Sequence, residues 1–485
     1  VSAYLGLDFG TSSVKGVLID GAQRIVATAS STLKVSRPQP GWSEQNPEDW
    51  WKAAGKVVAQ LRRVKPGLVA AVEGIGLSGQ QHGATLLDRD GRVLRPCILW
   101  NDARSFRECA EIVAREPQAV AHSGNVPLAG YTAPKLVWVK KHEPRIFEKV
   151  AKVLLPKDYI RYRMTGTYGS DMSDSAGTYW LDIAGRKWSD MLLAATHMRR
   201  DQMPELFEGT DATGQLTPAV ARAWGMPKRP VVAGGGGDNA ASACGIGAVT
   251  DGAGFISIGT SGVMFVSNDR FSPNARRMVH AFCHATPGTW HQMGVILSAT
   301  ASLEWLAGLL KEPAPRLTRA LGPKLKGPSP VLFLPYLSGE RTPVGDSQVR
   351  GAVLGLGHET DRKTLTHAVL DSVAFAFRDS LEALEAGGAR INRLMAVGGG
   401  TKSQLWLRIM ATVLGVPIDL PAAGDVGGAF GAARMGLVAA TGADWRQAFS
   451  KPRIARTIAP ETAATAAYLD QYQRYVKIYP AIRGI

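Results

Sequence analysis

Apolar and polar positions along the chain fall into short runs that alternate between strand and helix periods. Residues 5–9 form an apolar run broken only by Asp8, followed by a Gly-Thr-Ser turn at 10–12 and a second apolar run to Ile19. Residues 254–263 repeat that plan, with strand, Gly-Thr-Ser turn at 259–261 and returning strand. Asn46-Pro47-Glu48-Asp49 is a helix start, with Asn as the cap, Pro at the first position and acids in the first turn, and it leads into a helix over 50–63. Residues 72–77 read as a buried strand ending in the polar loop 78–83, and residues 135–142 and 146–163 read as helices. In the second half the pattern predicts strands at 331–337 and 393–397, a long helix over 364–386 and another over 403–414. A further helix begins in 425–433, where small residues permit close backbone packing. Alternating strands and helices of this kind predict an α/β fold.

The duplication changes the reading of the turns. One Gly-Thr-Ser turn is an ordinary hairpin feature, because these residues dominate turns anyway. Two of them half a chain apart point to two equivalent halves facing each other. Consecutive backbone N–H groups in such a turn form an anion-binding concavity to which Thr and Ser hydroxyls add donors, so the pair is suited to clamp one polyphosphate from two sides. At 485 residues the chain exceeds the size at which one core stops growing, which agrees with two large domains.

Composition excludes several classes. Cys97, Cys109, Cys244 and Cys283 are widely spaced and form no metal-ligand pattern, so free thiols of a reducing compartment are expected. The start of the chain lacks the features of a signal peptide and no window is long and apolar enough to span a membrane, which makes a cytoplasmic location the expectation. The formal net charge of +15 raises the question of nucleic acid, yet the basic residues are scattered. Clusters such as Arg62-Arg63-Val-Lys65 are short and not interleaved with aromatics, so neither nucleic acid nor membrane is an expected partner. Trp42, Trp50, Trp51 and Trp100 read as packing residues.

Two acids stand out. Residues 230–239 run from an apolar strand through four glycines to Asp238 and Asn239, which leaves a carboxylate at the mouth of a cleft, able to take a proton from an attacking hydroxyl. Helix capping is the alternative. Asp8 sits in an apolar strand two residues before the first turn, where a carboxylate needs a partner or a metal. Gly398-Gly-Gly-Thr-Lys-Ser403 is no P-loop, because Thr401 stands where that motif requires Gly before the Lys. Its glycines instead suit a flat surface against a nucleoside.

Taken in order, Asp-Phe-Gly-Thr-Ser at 8–12, Trp100-Asn-Asp-Ala-Arg104, Gly-Gly-Asp-Asn at 236–239, Ile258-Gly-Thr-Ser261 and Gly398-Gly-Gly400 resemble the FGGY carbohydrate kinases. Further stretches are similar to the xylulokinases within that family: Trp42-Ser-Glu-Gln45, Gln81-His-Gly-Ala-Thr-Leu-Leu-Asp88, Leu155-Pro-Lys-Asp-Tyr159, Ser170-Asp-Met-Ser-Asp174 and Phe333-Leu-Pro-Tyr-Leu-Ser-Gly-Glu-Arg341. The resemblance spans residues 4 to about 435. It implies two ribonuclease H-like (actin-like ATPase) domains, residues 1–247 and 248–485, with a nucleotide and sugar cleft between them. The implied activity is ATP-dependent phosphorylation of a ketose, D-xylulose in the xylulokinases. Other members act on ribulose, glycerol or gluconate, and an actin-like ATPase without a sugar site is the reading from a different class.

The resemblance also implies roles. Asp238 would be the general base, and Asp8 would place Mg²⁺ and the phosphates of ATP. Thr11 and Ser12 would form one phosphate loop, Gly259 and Thr260 the other. Gly399 and Gly400 would carry adenosine, with Gln404 beside them. Gln81 and His82 would bind the ketose, with Asn239 and Asp102 as further sugar contacts. The family commonly forms homodimers. One departure matters: xylulokinases often carry Met where this chain has Gln81, so an apolar contact gives way to an amide that donates and accepts, which bears on sugar selectivity.

Overall fold

The computed structural model describes residues 2–422 and 427–484. Asp425 and Val426, where a helix start was expected, lie outside the described residues. In the first half β1 (Ala3–Phe9), β2 (Ser13–Asp20), β3 (Ile25–Thr32), β4 (Val72–Gly79), β5 (Ala212–Gln215), β6 (Val231–Ala233) and β7 (Gly236–Gly237) form one sheet. Its order is β5-β6-β4-β1-β2-β3, with β7 also paired to β4. In the second half β8 (Gly254–Ile258), β9 (Gly262–Asn268), β10 (His280–Cys283), β11 (Trp290–Ile296), β12 (Leu394–Val397), β13 (Ile418–Pro421) and β14 (Ile454–Ile458) form another, ordered β10-β11-β9-β8-β12-β13-β14.

The two sheets repeat one pairing scheme. From β3 to β5 through the first sheet the pairs run antiparallel, antiparallel, parallel, parallel, antiparallel. From β11 to β14 through the second they run the same way. In each sheet the Gly-Thr-Ser turn joins the second of these antiparallel pairs, β1 to β2 and β8 to β9. The sequence repeat is therefore the visible part of a duplicated sheet.

Helix α1 (Pro47–Val64) starts as expected, the Asn46 side chain accepting from the Glu48 N–H, and it buries Trp50, Val57 and Leu61 with the first sheet. Helices α2 (Asp238–Ile246), α3 (Arg362–Ala386), α4 (Gln404–Leu414) and α5 (Gly428–Thr441) complete the frame of the site. The helix expected over 146–163 is corrected. Pro156, which lacks an N–H and suits a first helical position, opens Pro156–Thr165, and Lys152–Leu154 before it is a strand paired with Thr85–Leu87. The strand expected at 331–337 is confined to Leu332–Leu334, followed by Pro335. Among the described residues no helix is long and apolar enough to cross a membrane.

Helix α5 comes from the second half of the sequence but lies on the first sheet. A methyl group on Gly76 of β4 would sit 1.7 Å from the Ala432 carbonyl oxygen, and one on Gly431 would sit 1.8 Å from that of Ala241 in α2. Backbone thus rests on backbone on both sides of the helix. Gly76→Ala is expected to lower stability by about 3 kcal/mol, through overpacking that only a backbone shift relieves. Urea unfolding measures this, and an unchanged midpoint would show that α5 can move away freely.

Candidate active site

Both Gly-Thr-Ser turns are held from behind. In the first, the Thr11 carbonyl accepts from Gln45 Nε2 at 2.7 Å and that of Ser12 from the Leu33 N–H at 2.8 Å. In the second, the Gly259 carbonyl accepts from the Thr300 N–H and that of Thr260 from the Ala299 N–H, both at 2.9 Å. The Gly10 and Gly259 N–H groups close each turn on the Ser13 and Ser261 carbonyls, both at 3.1 Å, so an anion would have to be met by the N–H groups that follow them. The Thr11 hydroxyl is engaged, donating to Gln80 Oε1 at 3.0 Å and accepting from Trp100 Nε1 at 2.9 Å. Ser12 and Thr260 are exposed. Trp100, expected in packing, is 39% exposed and braces this turn; Trp50 is the buried one.

Asp238 is the first residue of α2, set by the extended glycines of β7, so it is neither the cap nor buried in the helix body. Asn239 anchors one carboxylate oxygen, Oδ1, through its backbone N–H at 2.7 Å and Nδ2 at 2.9 Å. Enclosure by the protein, reinforced by the Asp8 charge, pushes the Asp238 carboxyl up to about 7 against the pull of the Asn239 hydrogen bonds. Asp8 lies on β1 with Oδ1 accepting from Ser78 Oγ at 2.8 Å, and its strand partner across the turn is Lys15.

Gln81 and His82 leave β4 beside β7. Gln81 is buried and donates Nε2 to the Ser173 carbonyl at 3.3 Å. His82 adopts a left-handed backbone with φ of 69°, pinned by Lys135 Nζ at 2.7 Å and Thr132 Oγ1 at 3.1 Å on its carbonyl. Its Nδ1 lies 2.7 Å from the Gly177 carbonyl, which can only accept, so Nδ1 carries the proton. Burial, with the Lys135 and Arg341 charges, drives the ring down to about 3 despite that bond. The imidazole is therefore neutral at pH 7 and presents Nε2 as an acceptor. Asp102 needs correction as a sugar contact: Oδ1 accepts from the Arg104 N–H and Nε, and Oδ2 from the Ser43 N–H and Arg104 Nη2, with no side-chain surface left.

Across the cleft, β12 ends in the glycines. A methyl on Gly400 would sit 2.3 Å from Ile258 Cγ2, just before the second turn, whereas Gly399 faces open space. Gln404 opens α4 and is exposed. A cavity of about 620 Å³ joins the halves here, lined by Lys15 and Asn239 on one side and Ser257, Gly398 and Thr401 on the other.

Three residues beyond those expected enter the site. Lys15 lines the cavity and is visible in sequence only as the cation ending the first repeat. Lys135 is fully buried beneath His82. Arg341 brings a cation from the second half, its Nη1 donating to His280 Nε2 at 3.5 Å; His280 in turn meets the Tyr131 hydroxyl through Nδ1 at 2.5 Å, and Tyr131 packs 4.9 Å from the His82 ring.

Residues 3–245 match the N-terminal domain of the FGGY family of carbohydrate kinases, and residues 254–440 its C-terminal domain. The chain belongs to this family. It is 45% identical over 480 residues to the xylulose kinase of Escherichia coli K12, covering 98% of this chain and 96% of that one. Among solved structures, a "xyloylose kinase" from Brucella ovis superposes with a TM-score of 0.97 at 56% identity, over 99% of both chains. Xylulose kinase from Rhodospirillum rubrum superposes with a TM-score of 0.92 at 30% identity, also over 99% of both. This chain is accordingly a two-domain carbohydrate kinase of the actin-like fold.

The acid pair makes a direct prediction. In carbon-13 NMR of aspartate-labelled protein, the Asp238 carboxyl should titrate near pH 7. Asp8→Asn removes the neighbouring negative charge and should move that midpoint to lower pH, and an unmoved midpoint would mean that the two carboxylates do not interact.

Proposed function

We propose that this kinase transfers the γ-phosphoryl group of ATP to D-xylulose, giving D-xylulose 5-phosphate. The observation that carries this reading is the Asp238 carboxylate, anchored by one oxygen at the start of α2, just after a strand that meets Gln81, in a chain that carries two matching Gly-Thr-Ser turns. The likeness to xylulose kinases over nearly the whole chain supports the choice of sugar. The family name implies ATP as the phosphoryl donor. Expected locations follow the same reading: residues 1–247 would hold sugar and base, residues 248–485 most of the nucleotide, and the enzyme would work as a cytoplasmic homodimer. Analytical ultracentrifugation showing a single-chain mass would remove the dimer.

In this mechanism the sugar lies against Gln81, Asn239 and the Nε2 acceptor of His82. Ser12 and the N–H groups of Thr11 and Ser12 face the phosphates from one side, Gly259 and Thr260 from the other. Gly399 and Gly400 give adenosine a flat bed, with Gln404 at its rim. The sugar hydroxyl attacks the γ-phosphorus, Asp238 takes its proton as the new bond forms, and ADP leaves. Positioning and charge neutralisation dominate such transfers. The half-buried Asp8 carboxylate beside the first turn fits Mg²⁺, which takes one or two carboxylates together with phosphates and water. Bound there, Mg²⁺ would neutralise charge on the triphosphate. Lys15 lies near enough on the cavity wall to share that task.

Only ionised Asp238 accepts a proton, so kcat/KM for the sugar should rise with pH up to about 7 and then level. Asp238→Asn should lower turnover by about a hundredfold or more with nucleotide binding intact. ADP release with Mg-ATP, measured across D-xylulose, L-xylulose, D-ribulose, L-ribulose, glycerol, gluconate and no sugar, tests the substrate. A dominant D-xylulose signal with little sugar-independent release is expected, since closure around the sugar excludes competing water. Preference for another sugar would replace the substrate, and equal rates without sugar would remove closure.

A further inference from the structure

The stretch Ser170-Asp-Met-Ser-Asp174 plays no part in the chemistry above, yet it lies directly beneath it. Ser173 is fully buried in the one-turn helix Met172–Ala176. Its hydroxyl donates to Asp171 Oδ2 at 2.5 Å and accepts from the Gly237 N–H at 3.1 Å, one residue before Asp238. Its carbonyl accepts from Gln81 Nε2 at 3.3 Å, and Gly177 at the end of the same helix accepts from His82 Nδ1 at 2.7 Å. One short segment therefore touches the strand that leads into Asp238 and both Gln81 and His82. The fit is tight on the open side as well, because a methyl on Gly237 would lie 2.4 Å from Gln81 Nε2.

A buried ion cluster fixes that segment from below. Asp171 Oδ1 meets Lys157 Nζ at 2.6 Å, and Lys157 also meets Asp158 at 2.6 Å and Asp174 at 3.3 Å. Arg161 closes on Asp158 at 3.0 Å. Burial, reinforced by the neighbouring Asp158 and Asp171, raises the Asp174 carboxyl well above its usual range against the pull of Lys157. Desolvating such a cluster costs as much as its attractions return, and apolar residues of similar volume often stabilise better. Its place under the base and the sugar pair is accounted for by positional precision instead.

We propose that Ser173, fixed by the Asp171 and Lys157 pair, is a positioning residue that aligns Asp238 with the Gln81 and His82 pair. This rests on the roles given to those residues under Proposed function. Ser173 itself touches no substrate in this scheme. Its hydroxyl sets where β7 delivers the carboxylate, and its carbonyl sets where the Gln81 amide ends.

The test compares wild type, Ser173→Ala and Ser173→Cys in Mg-ATP turnover with D-xylulose, reading kcat, KM for each substrate and the acidic limb of the pH profile. Ser173→Ala should lower kcat about tenfold, the scale of one lost hydrogen bond to a charged partner. Sugar KM should rise severalfold, ATP KM should stay, and the acidic limb should shift. Ser173→Cys keeps size and a weak donor, and should fall between wild type and alanine; it carries the test alone if the alanine variant does not fold. Variants that melt earlier but keep kcat, sugar KM and the limb would overturn the proposal and leave Ser173 a packing residue. Absence of sugar-dependent turnover in wild type is a different result, which overturns the functional reading and with it the need for alignment.

Discussion

Helix α5 lies so close to β1 and β4 that its carbonyls occupy the space where side chains of the first sheet would stand. Glycine at Gly6, Gly74 and Gly76 is what permits this contact. The consequence reaches the site because α5 begins at Gly428, where a methyl would lie 3.1 Å from Asp8 Oδ1. The positive end of a helix is thereby brought to the carboxylate on β1. On its other flank α5 packs on α2, which begins at Asp238, and Arg434 Nη1 donates to the Cys244 and Gly245 carbonyls at the end of α2 at 3.1 Å each. A single helix from the second half thus sets the spacing of the two acids of the first.

That spacing explains the electrostatics. Two carboxylates close enough to feel each other cannot both ionise cheaply, and burial together with the Asp8 charge raises Asp238. A carboxyl raised to about 7 is a better proton acceptor than one left near 4, yet is still ionised in half the molecules at neutral pH. Helix packing, acid spacing and basicity form one chain of cause. His82 sits at the opposite extreme: burial and two neighbouring cations keep it neutral, so under the proposed mechanism it would offer a sugar hydroxyl an acceptor without adding charge beside the triphosphate.

Features governed by nearby residues were legible in the sequence. The two Gly-Thr-Ser turns, the glycines before Asp238 and the cap at Asn46 are short-range backbone devices, and their repetition foretold the paired sheets. Features governed by tertiary neighbours were not. Asp102 looks like an available carboxylate until Arg104 folds back on it and stacks 3.6 Å over Trp42. Trp100 has the composition of a core residue, but its partner is the hydroxyl of Thr11, 89 positions away in sequence. The misread helix over 146–163 shows the limit of apolar periodicity, which does not see that Lys152–Leu154 has a strand waiting at Thr85–Leu87. Arg341 and Lys135 reach His82 only through the fold.

Gln81 is a departure from the xylulokinase pattern that bears on the site, and its surroundings decide what the change means. A free amide in the pocket would add a donor and an acceptor for sugar hydroxyls and could redirect selectivity. This amide is only 6% exposed, and its donor end is already committed to the Ser173 carbonyl. It also presses against Gly237, so the space that a thioether would fill is filled by an amide tied to the protein. The substitution exchanges an apolar side chain for a tether from Gln81 to Ser173, which also bonds the strand leading into Asp238. Under the proposed function, discrimination among sugars would then fall to the acceptor face of His82 and to the reach of Asp238, both of which the fold holds in place by hydrogen bonds.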